Sequence, residues 1–114
     1  MDMKKILGLI EEGTGLKPQA FAIDSVKDLP AMSYRIYRTS DNGSKSQWRL
    51  ECRITAKTLA SLLELEERLK DSLVTVADTV KCGCSIAVNG GGTLLDANTG
   101  YPQQITYFDL TTRS

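Results

Sequence analysis

The chain has 114 residues, with 14 lysines and arginines balancing 14 aspartates and glutamates, three cysteines and no histidine. That length supports one domain with a two-layer core, and zero net charge leaves no overall field to attract nucleic acid or acidic lipid, although a local basic patch stays open. The lack of histidine removes the commonest general base near neutral pH and the commonest neutral metal ligand, while an odd cysteine count outside a disulfide scaffold fits a reducing compartment such as a cytoplasm.

Lys4 and Lys5 ahead of Ile6, Leu7, Gly8, Leu9 and Ile10 have the look of a secretory leader. The apolar run is too short, and Glu11 and Glu12 follow with no small-residue cleavage site. No stretch approaches the ~20 apolar residues of a membrane span, so no membrane partner is expected. Met3, Ile6, Leu7 and Ile10 fall at helical spacing and predict a short amphipathic helix that stops near Gly13 and Gly15 and lies as a lid on a sheet. Residues 16–32 contain Pro18 and Pro30, and the apolar run 20–23 reads as an edge strand before a loop over 24–30.

Residues 33–39 and 46–55 are predicted antiparallel strands joined by a turn over 40–45, in which Asn42 and Gly43 both tolerate positive φ. Trp48, Leu50, Cys52 and Ile54 alternate with Gln47, Arg49, Glu51, Arg53 and Thr55, giving one dry face and one wet face. Leu59, Leu62, Leu63, Leu65, Leu69 and Leu73 then gather on the broad apolar arc of a covering helix. Glu66 and Lys70 fall inside that arc and are expected to pair at i, i+4 with their heads in water.

After a loop around Thr79, residues 85–88 and 105–110 read as a second pair of strands. Ile86 and Val88 share one face, as do Thr106, Phe108 and Leu110. The link between them, with Gly90, Gly91 and Gly92 and then Asn98, Thr99 and Gly100, reads as a mobile or extended hairpin tip. The predicted fold is therefore one α+β domain over residues 1–114, a single antiparallel or mixed sheet of about four to five strands covered by two helices in the order α-β-β-α-β-β. Both halves share that order, but no residue repeat links them.

Four constellations have chemical potential. Cys82 and Cys84 could share a soft metal or exchange disulfides, but Cys52 is the only other thiol, and ordinary packing is preferred. Gly90, Gly91 and Gly92 could offer amides to phosphate, yet Thr93, Leu94 and Leu95 follow where a phosphate loop needs lysine and a helix, so a flexible loop or a bulge is preferred. Asp96 and Asn98 begin like a calcium loop, but Tyr107 stands at the twelfth position where a bidentate glutamate belongs. An Asx-type turn explains them. The carboxylates of Glu64, Glu66 and Glu67 belong to a solvated helix face, and no nucleophile has an activating base. No enzyme, cofactor or metal site is expected.

Arg35, Tyr37, Arg49 and Arg53 lie on the wet face, where cations interleaved with an aromatic can hold single-stranded nucleic acid. Glu51 interrupts the patch and no RNA-recognition motif is present. A solvated or subunit-facing surface is the preferred reading. Together with Arg38 and Gln47, placed at the hairpin's edge, these residues form the candidate interface for a neighbouring subunit or partner.

A short amphipathic helix, Pro30 ahead of the run from Tyr34 to Arg38, a turn, the strand from Trp48 to Thr55, the leucine helix over 59–73 and a terminal strand from Tyr107 to Leu110 make a recognisable layout. Over nearly its whole length the chain resembles the tail terminator and tail-completion proteins of tailed bacteriophages. The resemblance lies in layout, length and hydrophobic spacing, and no residue role transfers by motif. It implies a small α/β domain that assembles into a ring, often a hexamer, which ends growth of the tail tube and prepares it to join the head. The implied partners are other copies of the chain and the tail-tube and head-completion proteins, in the virion and, during assembly, in the host cytoplasm. The segments around Cys82 and Cys84 and around Gly90 to Gly92 have no counterpart in that family. The alternative is a small nucleic-acid or ligand-binding adaptor domain using Arg35, Tyr37, Arg49 and Arg53.

Overall fold

In the computed structural model, which describes residues 1–22, 29–75, 83–97 and 99–113, the elements are α1 (Met3–Thr14), β1 (Gln19–Ala20), β2 (Ala31–Asp41), β3 (Lys45–Thr55), α2 (Leu59–Lys70), a π-helical turn (Asp71–Thr75), β4 (Ser85–Leu95) and β5 (Pro102–Arg113). The strands form one mixed sheet in the order β1-β2-β3-β5-β4, antiparallel except where β1 runs beside β2. This is the expected α+β class, with two α-helices among the described residues.

Both helices start and stop for local reasons. Asp2 Oδ1 accepts the Lys5 amide at 3.1 Å, and Gly15, at φ 76°, closes α1 by donating its N–H to the Glu11 carbonyl; glycine takes that left-handed conformation without Cβ strain. Thr58 caps α2 by accepting the Ser61 amide at 3.2 Å. Leu62, Leu65, Leu69 and Leu73 are buried, whereas Leu59 and Leu63 are 52% and 46% exposed. The apolar arc is thus narrower than expected. Leu63 sits one position off the buried stripe, and Leu59 lies in the first turn. Glu66 and Lys70 do pair, at 3.1 Å. Gly13 sets how closely α1 approaches the π turn, because a Cβ there would lie 2.5 Å from Ser72 Cβ.

The core lies between the helices and one sheet face. Ile6 and Ile10 of α1 and the leucines of α2 meet Met32 of β2, Leu50, Cys52 and Ile54 of β3, and Phe108 and Leu110 of β5. Helices of 12 residues reach ~18 Å. That is about half the ~36 Å of strands 11 residues long. The strand ends therefore run past the helical layer, residues 37–45 and 87–95 are exposed, and the molecule measures 44 × 24 × 22 Å.

Three sequence expectations are corrected. The first hairpin is longer than read and its loop is only residues 42–44; Gly43 alone takes positive φ, 87°, while Asn42 acts through its side chain, with Oδ1 accepting the Lys45 amide at 2.8 Å. The edge strand is Gln19–Ala20, paired with Ser33 and Tyr34, and the chain turns away at Phe21, φ 69°. Ile23, residues 24–28 of the expected loop and Thr79 lie outside the described residues. Lastly, Gly90, Gly91 and Gly92 are not at a hairpin tip. They lie inside β4, at a register shift between Val88 and Gly91, where Gly91 has φ 154° and a Cβ would collide with the Ile105 carbonyl oxygen. The tip spans 96–101, closed by the Asp96 N–H on Tyr101 O at 3.0 Å and the Gly100 N–H on Asp96 O at 2.7 Å.

Candidate interaction surface

Because side chains alternate across a strand, the residues between the core positions form the sheet's other face. Cross-strand register places Tyr37 beside Arg49 and Asp109, Arg35 beside Glu51 and Tyr107, and Ser33 beside Arg53 and Ile105. Strands β2, β3 and β5 thus bring Arg35, Tyr37, Arg49 and Arg53 onto one surface, as their spacing predicts. Gln47 shares the parity of Arg49 but sits between Ser40 and Thr111, inside the sheet and away from an edge. Arg38 belongs to the opposite face: it is level with Trp48, and its guanidinium lies 4.8 Å from the centre of the indole ring. The six expected interface residues therefore do not form one patch.

Glu51 organises the surface. Its side chain is fully buried, with Arg35 Nε and Nη2 on Oε2 at 3.0 and 2.6 Å and Arg53 Nε on Oε1 at 2.8 Å. Burial alone would push the carboxyl up, but the hydrogen bonds from Arg53 and Arg35 outweigh it and hold Glu51 below the usual carboxylate range. The hydrogen bond to Glu51 likewise raises Arg35 above the usual guanidinium value. A shallow pocket of about 260 Å³ lined by Phe21, Ser33, Tyr34, Arg35, Glu51 and Arg53 opens at this triad. Phe21, 77% exposed, stands on its rim.

Arg49 reaches Asp109 Oδ1 at 3.4 Å, and Asn89 Nδ2 donates to Asp109 Oδ2 at 2.7 Å. Arg35 stacks over Tyr37 at 5.6 Å and Arg49 over Tyr107 at 5.8 Å, each a cation held against the negative face of a ring. The sequence did not point to Tyr107, Asp109, Asn89 or Phe21 as members of this surface. The alternation of Tyr107 and Asp109 with Phe108 and Leu110 was visible, but the neighbour relation of β5 to β3 was not.

Arg35, Arg49 and Arg53 each engage a carboxylate, leaving three arginines against Glu51 and Asp109. Cys52 is buried in the core, where burial pushes its thiol up to about 12. Cys84 is also buried, and Cys82 lies outside the described residues. Among the described residues no group of three or more Cys, Asp or Glu could hold a metal ion, and no helix is long and apolar enough to cross a membrane. Compared with known proteins, the chain matches no family model, and no curated protein matches it.

Proposed function

We propose that the chain is a structural subunit of a phage or prophage virion, a tail terminator or tail-completion protein that assembles on itself and on the tail tube and helps to join tail to head. The observation that carries the reading is the sheet face opposite the helices, where arginines, tyrosines and carboxylates are interleaved across three long strands. Mixed charge and aromatics are what a polar protein interface uses. Projecting hairpins add reach for contacts with neighbours. The sequence layout that resembles the tail terminators supplies the rest of the argument.

The test is mass in solution. Light scattering and negative-stain imaging at rising protein concentration, alone and with the tail-tube protein of the same genome, should show assemblies larger than the 12.5 kDa chain, at multiples of that mass where the chain assembles alone. A strict monomer that also ignores the tail tube contradicts the proposal. The interleaving of arginine and tyrosine keeps an adaptor that binds single-stranded nucleic acid as the second reading. Oligonucleotide binding that weakens steeply with salt would favour it.

A further inference from the structure

We infer that copies of this chain join head to tail by strand pairing, β4 of one copy adding to the outer edge of β2 in the next. The inference rests on the proposed self-assembly and specifies how it occurs. The sheet ends in two unlike edges. Among the described residues, on one side β1 covers only Ser33 and Tyr34 of β2, and Arg35, Tyr37, Arg38 and residues 39–41 beyond it are exposed. On the other side β4 carries no charge and no proline over its whole length. Exposed edges are ordinarily guarded by lysine, proline or a bulge. The bulge in β4 comes only after Val88, so residues 85–88 form a regular edge that is unguarded among the described residues.

Polarity and level both match. Strands β2, β3, β5 and β4 alternate in direction, so a neighbour in the same orientation presents β2 antiparallel to β4 and continues the alternation. Following the register across the sheet, Ser85 is level with Thr111, Gln47 and Ser40, and Val88 with Phe108, Leu50 and Ile36. The unguarded stretch of β4 thus stands level with the open stretch of β2. Gly91, by the same register, stands level with Thr106, Cys52 and Tyr34, the height at which β1 occupies the edge. The bulge turns β4 away where the neighbour's β1 would obstruct it.

The side chains agree as well. Val88, 39% exposed, would meet Ile36 of the next copy on the helix-side face, or Arg38 after a two-residue slide that keeps both faces in place. The contact is heterologous, with two different edges in use, so repetition closes a ring or extends a filament.

Variants with one introduced cysteine test it, made in a chain whose Cys52, Cys82 and Cys84 are replaced by alanine and which is first shown to assemble like the wild type. Val88→Cys is mixed with Ile36→Cys or Arg38→Cys, the assembly is oxidised, and linked peptides are mapped by mass spectrometry. Directly opposed cross-strand positions are close enough to link. The inference expects Val88 to link with position 36 or 38 in a mixture, and no variant to link with itself. A Val88→Lys chain should need at least about tenfold more protein to assemble than the wild type, because an inward charge blocks edge pairing. Self-linking of Val88→Cys overturns the inference in favour of a symmetric β4 to β4 contact. Assembly that persists without links and ignores Val88→Lys overturns it while leaving the proposed function standing, whereas wild-type protein that assembles neither alone nor on tail-tube protein removes both.

Discussion

Glu51 is the residue whose state most affects the open sheet face. Its carboxylate binds two arginines that are 55% and 42% exposed, so water screens part of the attraction. Glu51→Gln should cost about 1–2 kcal/mol in a urea titration at pH 7. The folded-state pKa is lowered, so the contribution is present above the unfolded carboxylate value and is lost as pH falls through the folded one. Stability of the wild type should therefore decline more steeply below the ordinary carboxylate range than that of Glu51→Gln. Equal acid limbs would show that the pair contributes nothing. Cys52 gives a second check at this scale: with its thiol pushed up to about 12 by burial, it should resist alkylation in the native protein and react on unfolding.

The glycines test the element scale. A methyl added at Gly8 would meet nothing within 4 Å, whereas a methyl on Gly13 would meet Ser72. Gly8→Ala should raise stability by about 0.5–1 kcal/mol. Gly13→Ala should lower it by about 1–3 kcal/mol through overpacking, and thermal melts of the two variants should shift in opposite directions. Gly91→Ala should cost at least as much, since that position combines a positive φ with contact to the Ile105 carbonyl. The helices were legible in the sequence because glycine stops and a 3.6-residue period are local signals; the caps at Asp2 and Thr58 were not read from it. The first hairpin was legible for the same reason. The length of β4 was not: the triple glycine read as a flexible loop or a bulge, and the bulge that the register shift bears out needs its partner strand to be told from a loop. Nor was the burial of Glu51, which depends on β2, β3 and β5 lying side by side.

At the scale of the whole molecule, two short helices cover one side of a much longer sheet, and the other side carries paired charges and aromatics. The alternation of Arg49, Glu51 and Arg53 made that face visible from the sequence. Its full membership depends on the strand order, which places Tyr107 and Asp109 beside β3 and sends Arg38 to the opposite side. The same order creates the two unlike edges on which the proposed head-to-tail assembly rests. If this chain works as one subunit of a larger structure, size-exclusion chromatography with multi-angle light scattering at rising concentration should give a defined multiple of 12.5 kDa for the chain alone, or a heavier complex once tail-tube protein is added; a 12.5 kDa species under every condition would rule that out.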